Sequence, residues 1–355
     1  MSGSEKAKKL WGSLKGVVIA FAIVFLIVGG LWAYSGVWPP LVVIESGSMQ
    51  HSDTRSYIGV IDTGDLVILK QQDATSVRTY LESVDDGYST YGELGDVVIY
   101  RPFGSYDRTP IIHRALCRVV YNASGGGFDV PALASLLPEQ QRWEVKGGES
   151  AWYDIHGTLV LYDVGYNDAE VRINFTVMLS NFANAHLTPH GGFITLGDNN
   201  HGIIDQSSMS SVCWRPVKDE WLNGVARGEL PWFGLIKLYV SGQASQVSIP
   251  QNSQTNLIIS LGLIIGIPIA IDAISIVLES KGISVGAWFR KKLGMPPKQP
   301  KKVEEPEPDP PPKKGSAKDE GKGASKGSQP KEGSKKSSSS QKPKGKGGNK
   351  GKGSS

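Results

Sequence analysis

The sequence predicts a mainly β domain held between two membrane-crossing helices and followed by a disordered tail. Three observations carry that reading: two long apolar runs, a string of short β-branched and aromatic segments between them, and an abrupt change of composition after Pro296. The 355 residues are 39% hydrophobic, and setting aside the two runs and the tail leaves roughly one soluble domain of ordinary size. The formal charge of +4 is unevenly spread, with lysines at both ends and an acidic middle. No basic stripe interleaved with aromatics occurs in the globular part, so no nucleic-acid partner is expected.

The first apolar run, Val17 to Tyr34, is uncharged and follows Lys6, Lys8, Lys9 and Lys15. It is long enough to cross hydrocarbon at about 1.5 Å per residue. Trp32, Tyr34 and Trp38 sit at its far end, where amphipathic rings favour the headgroup layer, and Pro39-Pro40 cannot continue a helix. A cleaved leader also has a basic start and an apolar core, but this run is long and no small-residue cleavage site follows. The second run, Leu257 to Leu278, contains one ionisable group, Asp272, which can reach the interface, and Pro268, which should kink the helix. Lys281, Lys291 and Lys292 follow it. Both lysine-flanked ends then face the cytoplasm, and everything between the runs lies outside.

The organisation expected is a basic cytoplasmic N-terminus over 1–16, a first span over 17–38, an extracytoplasmic domain over 39–255, a second span over 256–279 and a cytoplasmic tail over 280–355. The tail is Lys, Pro, Gly, Ser and Glu with almost no apolar residue, too little to offset chain entropy, and reads as solvated disorder. Within the outer domain, strands are expected at Leu41 to Ile44, Leu66 to Leu69, Val97 to Tyr100, Ile111 to Val120, Thr158 to Tyr162, Val171 to Val177 and Phe193 to Leu196. The steps Gly64-Asp65, Gly95-Asp96 and Gly197-Asp198 read as hairpin turns.

Cys117 and Cys213 both fall in the outer domain, where a disulfide could persist, but spacing alone does not bring two Cα atoms within about 7 Å, and two free buried thiols are expected. Asn122-Ala123-Ser124 and Asn174-Phe175-Thr176 match the glycosylation pattern. His51, His156, His186, His190 and His201 show no metal-ligand spacing, and no cofactor or metal is expected. Trp214, Trp221, Trp232 and Phe233 precede the second run and suit either the headgroup layer or core packing.

A serine hydroxyl is a poor nucleophile at its free pKa and needs a neighbouring base, a task that suits neutral histidine. Ser48 lies in a glycine-containing turn, and alternation along its strand puts His113 with Ile111 on one face and Ile112 with Arg114 on the other. Each signal is weak alone. In chain order, however, Ser46-Gly47-Ser48-Met49 just past the first helix, Gly95-Asp96-Val97-Val98, Ile111-Ile112-His113-Arg114 and Gly197-Asp198-Asn199-Asn200 with Asp205 resemble the type I signal peptidases of archaea and of the eukaryotic endoplasmic reticulum. These motifs are specific as a set, although they cover a minor part of the chain.

The resemblance implies a signal-peptidase-like β fold and a serine endopeptidase of an archaeal cytoplasmic membrane that removes signal peptides from exported preproteins, with the bilayer and the protein-export channel as its surroundings. It uses histidine where typical bacterial enzymes use lysine, and no lysine stands at the His113 position. By the same resemblance Ser48 is the nucleophile, His113 the general base and Asp205 the acid that orients it, with Asp198 in support; the exchanged assignment of the two aspartates stays open. The Ser48 N–H and the Ser46 hydroxyl are the nearest donors for a developing oxyanion. The interval between His113 and Gly197, with Gly125-Gly126-Gly127, Trp143 and Trp152, is longer than the family core and reads as an inserted subdomain over about 120–190. The rival reading is a membrane-anchored β domain that binds or scaffolds surface proteins without chemistry, against which stand an intact serine, histidine and both aspartates. A different serine peptidase maturing other surface proteins would differ only in substrate. A histidine base must be neutral to accept a proton, so turnover should fall on acidification; a flat rate between about pH 5 and 8 contradicts it.

Overall fold

The computed structural model describes residues 3–136, 140–147, 151–208 and 212–281, together with Lys292 and Gly294. Most of the tail expected over 280–355 lies outside these residues. All elements below belong to the unit Met1–Val285.

Helix α1 (Gly3–Ser35) contains the first apolar run, and its membrane-length part is Val17–Ser35, three residues shorter than the span expected to reach residue 38. Gly36 ends it by taking φ +72, a left-handed conformation that an L side chain resists, and Gly36 N–H bonds back to the Trp32 carbonyl at 2.8 Å. The free Ser35 carbonyl accepts from Gln71 N–H at 2.7 Å, which ties the helix end to the sheet. Helix α5 (Ser253–Ser280) contains the second run and continues through Pro268. Both helices are long and apolar enough to cross a membrane, and their apolar side chains are largely exposed.

Between them the described residues form twelve strands: β1 (Leu41–Val43), β2 (Leu66–Lys70), β3 (Ser89–Thr90), β4 (Glu93–Leu94), β5 (Val97–Tyr100), β6 (Ile111–Tyr121), β7 (Phe128–Asp129), β8 (Trp143–Lys146), β9 (Thr158–Val164), β10 (Ala169–Asn174), β11 (Gly192–Leu196) and β12 (Leu222–Leu230). Three short helices accompany them: α2 (Tyr80–Ser83), α3 (Phe175–Asn184) and α4 (Leu235–Val240). The chain is thus mainly β, as the alternating apolar segments require. A seven-stranded sheet runs β1-β2-β12-β5-β6-β11 with β7 added to β6, and all its pairs are antiparallel. A second sheet, β10-β9-β8, forms in the interval between β6 and β11.

That second sheet does not own a separate core. Leu159, Leu161, Val171 and Ile173 from it, with Phe175, Met178 and Phe182 from α3, share one buried cluster with Leu116, Cys117 and Val119 of β6 and Ile194 and Leu196 of β11. Cys213 is buried in a different cluster, and both cysteines are free thiols. Trp221 is buried there as well, and Trp214 packs edge-on against Phe182. Trp232 and Phe233 pack on Leu235, Leu238 and Leu257, where α4 meets the first turns of α5. Core packing therefore accounts for all four aromatics.

Two expectations are corrected, and one strand lies where none was expected. The segment Val171 to Val177 is not strand throughout: Asn174 turns its side-chain oxygen to Val177 N–H at 2.9 Å, caps the helix, and commits Phe175 onward to α3. Strand β12, unmarked by any β-branched run, is central, because β2 and β5 supply hydrogen-bonding edges on both sides. Two of the three Gly-Asp steps are not hairpin turns, whereas Gly197-Asp198 opens the turn that folds Ile204 back antiparallel to Leu196. Asp65 and Asp96 are instead buried where β2 and β5 begin, each accepting bonds from neighbouring chain: Asp65 from Asp62 N–H and Trp232 N–H, Asp96 from Arg78 N–H, the Tyr88 hydroxyl and Arg227.

Burial pushes Asp65 up from 3.8 to about 7 and Asp62 up from 3.8 to about 6, against the bonds they accept. The folded state keeps these protons after the unfolded chain has lost them, so their stabilising effect is complete below about pH 4 and is lost as pH rises through about 6 to 7. Asp65→Asn should therefore gain stability relative to wild type as pH rises from about 4 to 7, by at most about 1.4 kcal/mol per unit. Unfolding midpoints of the two proteins in detergent across that range check it, and a pH-independent difference contradicts it.

Candidate active site

Ser48 sits in an irregular turn just after β1, partly exposed, with its neighbour Met49 buried beside Ile44 and Ile61. That buried methionine anchors the turn while leaving the serine hydroxyl at the surface. His113 stands on β6 opposite Val98 of β5 and is 5% exposed. Asp205 lies on the return from β11: the chain leaves at Leu196, doubles back through a bridge from Leu196 to Ile204, and Asp205 N–H bonds to the Thr195 carbonyl at 2.9 Å.

These elements bring the three side chains into line. His113 Nε2 is 2.9 Å from Ser48 Oγ, and His113 Nδ1 is 2.7 and 2.9 Å from the two Asp205 oxygens. Asp205 Oδ2 also accepts from the Tyr100 hydroxyl at 2.7 Å and from Thr195 Oγ1 at 2.7 Å. A carboxylate only accepts, so Nδ1 carries the imidazole proton and the Nε2 lone pair faces the Ser48 hydroxyl. Burial, with the Asp205 charge second, raises the Tyr100 hydroxyl well above its ordinary value, which keeps it a neutral donor.

Asp198 is placed elsewhere. Arg114 Nε and Nη2 reach its two oxygens at 2.7 Å each, a bidentate pair with both side chains 4% exposed. His51 Nε2 adds a third contact at 3.1 Å. Burial alone would raise the Asp198 carboxyl, yet Arg114 and His51 together hold it below the usual carboxylate range. Arg114 Nη1 is in turn surrounded by the Thr90, Glu93, Leu94 and Gly95 carbonyls at 3.0 to 3.2 Å. Of the two aspartates the sequence left open, Asp205 touches His113 and Asp198 touches Arg114.

Ser46 Oγ lies 3.2 Å from Ser48 Oγ. Sequence reasoning missed Tyr100, Thr195, Arg114, His51 and Asn199 as parts of this site. Apart from Thr195, ten residues before Asp205, each has a partner 84 or more residues along the chain, so no local spacing marks them. The only available signal was the general requirement that buried carboxylates be saturated with donors.

Gly197 fits beneath the site with no room to spare. A Cβ there would stand 2.7 Å from the Ser48 carbonyl and 2.8 Å from His113 Nε2. Two cavities, of about 760 and 710 Å³, are lined by residues such as Trp38, Gln72 and Arg101, or Lys70, Arg78 and Arg227, and by neither Ser48 nor His113. The arrangement can transfer a proton from a partly exposed serine to a buried imidazole held in one tautomer.

No family model, curated protein or solved structure matches this chain.

Two substitutions test how the site is built. Gly197→Ala should cost about 1–3 kcal/mol and displace the Ser48 turn, since backbone and imidazole must both give way. Asp198→Ala leaves Arg114 charged and buried without its partner and should cost about 3–5 kcal/mol. Chemical unfolding of each variant in detergent measures both, and wild-type stability in Asp198→Ala contradicts the pairing.

Proposed function

We propose that this protein is a membrane-bound serine endopeptidase that cleaves N-terminal signal peptides from exported preproteins, on a signal-peptidase-like β fold. The observation that carries the reading is the continuous chain of contacts Ser48–His113–Asp205, whose members come from separate elements and whose order along the chain resembles that family's.

In this mechanism Ser48 Oγ attacks the carbonyl carbon of the scissile peptide bond while His113 Nε2 takes its proton. The carbon–nitrogen bond breaks, His113 returns the proton to the leaving amine, and Ser48 is left as an ester. Water then attacks that ester carbon while giving a proton to His113, the carbon–Oγ bond breaks to release the new carboxyl end, and His113 returns the proton to Ser48 Oγ. Asp205 keeps the Nδ1–H directed away from Ser48 and stabilises the imidazolium that forms in each half. The Ser48 N–H and the Ser46 hydroxyl supply donors for the oxyanion.

A partly exposed nucleophile suits an extended polypeptide better than an enclosed small molecule. The membrane-length helices support the location. With both lysine-flanked ends cytoplasmic, Ser48 stands on the outer face of the cytoplasmic membrane, shortly after α1 leaves the bilayer, where a signal peptide's cleavage site emerges. Asp198, through Arg114, shapes the floor of the site and takes no part in proton transfer.

The test is cleavage of a signal-bearing preprotein by the detergent-solubilised full-length protein. Wild type should cut at the signal junction, and Ser48→Ala, His113→Ala and Asp205→Ala should lose turnover by about four orders of magnitude. Ser46→Ala should lose about 10²-fold or more if its hydroxyl serves the oxyanion. A folded wild type that leaves the preprotein intact sinks the peptidase reading in favour of a membrane-anchored binding domain.

A further inference from the structure

The turn that carries Ser48 has no ladder of its own, yet its nucleophile must stay within hydrogen-bond reach of His113. Side chains from two other parts of the chain hold it. Asn199 N–H donates to the Ser48 carbonyl at 2.8 Å, and Asn199 Nδ2 donates to the Gly47 carbonyl at 3.0 Å. The remaining side-chain oxygen of Asn199 accepts from the Tyr166 hydroxyl at 3.0 Å, which fixes the orientation of the amide, and the same hydroxyl lies 3.4 Å from the Gln50 carbonyl.

Tyr166 stands between β9 and β10, at the tip of the second sheet, a segment far in sequence from every residue of the proposed relay. Its ring stacks on His51 with centroids 4.1 Å apart and planes 22° apart. His51 Nε2 reaches Asp198, and Asp198 is fixed by Arg114. Arg114, Asp198, His51, Tyr166 and Asn199 therefore close a clamp on both flanks of Ser48. Tyr166 bonds to Asn199 and Gln50 and His51 bonds to Asp198, so both act on Ser48 through other residues.

Building on the proposed peptidase function, we propose that Tyr166 and His51 are positioning residues: the tip of the second sheet clamps the nucleophile turn so that Ser48 Oγ stays aligned on His113. The second sheet thereby acquires a role in turnover beyond its share of the core. A displacement of about 1 Å at a reacting atom costs on the order of 10²-fold in rate, which a surface turn would reach readily without such support.

The test uses full-length protein in detergent and a signal-bearing preprotein. Tyr166→Ala and His51→Ala should each lower kcat about 10- to 100-fold with KM within about 2-fold of wild type. Tyr166→Phe keeps the stack on His51 but loses the bond to Asn199, and its kcat should fall between wild type and Tyr166→Ala. The double variant should be no worse than the poorer single, because both remove one device. A kcat within about 2-fold of wild type in Tyr166→Ala overturns the proposal, as does Tyr166→Phe falling as far as Tyr166→Ala with an equal drop in unfolding midpoint.

Hydrogen exchange judges the clamp without turnover. Peptides covering residues 46–51 and 197–200 should exchange faster in Tyr166→Ala while those of β5 and β6 do not change, and unchanged exchange at the turn overturns the clamp. An inactive wild type would sink the peptidase reading while leaving this second measurement to decide the clamp.

Discussion

A carboxylate withdrawn from water is tolerated only when donors saturate it, and Asp205, 1% exposed, obtains its donors from three neighbouring strands. Tyr100 comes from β5, His113 from β6 and Thr195 from β11, so the charge is satisfied only when those strands lie side by side in this register. The sheet order β5-β6-β11 provides that adjacency, and the bridge from Leu196 to Ile204 brings the aspartate back over it. One acceptor thus sets the imidazole tautomer, and the tautomer in turn leaves a lone pair for Ser48. The proposed chemistry and the strand arrangement depend on the same buried charge.

Asp198 shows the same physics serving a different end. It leaves β11 beside Arg114, and the guanidinium occupies both its oxygens while four carbonyls between Thr90 and Gly95 take Nη1. The pair ties the segment before β5 to the loop after β11. Two aspartates in one loop are thereby separated in function by which strand residue each meets. Gly197, immediately before Asp198, stays without a side chain because the Ser48 carbonyl and His113 occupy the space a Cβ would need.

The two membrane-length helices are joined to this domain at short range. The end of α1 is fixed, through the Ser35 carbonyl, to Gln71 just past β2, and Asn252, before α5, accepts from Ser56 N–H at 2.7 Å and donates to the Ser56 carbonyl at 3.2 Å. The segment following Ser48 is thus pinned to the start of α5. If both helices cross a bilayer, the serine is held at a fixed height above it, a geometry suited to a substrate that emerges from the same membrane.

Much of this was legible in the sequence. The apolar runs declare themselves because hydrocarbon demands uncharged length, and strands such as Val97 to Tyr100 or Ile111 to Tyr121 do so because pleated, half-buried surfaces favour β-branched residues. Ser48, His113 and the two aspartates stood out as a set through their order and local motifs. Strand β12 did not, since Leu222–Leu230 owes its conformation to β2 and β5 on either side. Helix α3 was hidden by apolar residues that suit either conformation until Asn174 capped them. The sequence by itself determined composition, periodicity and the candidate serine, histidine and aspartates, because these are local properties. Which aspartate faces His113, and that Tyr166 reaches the nucleophile turn, only the tertiary structure decided, because hydrogen bonds between groups tens of residues apart leave no trace in spacing along the chain.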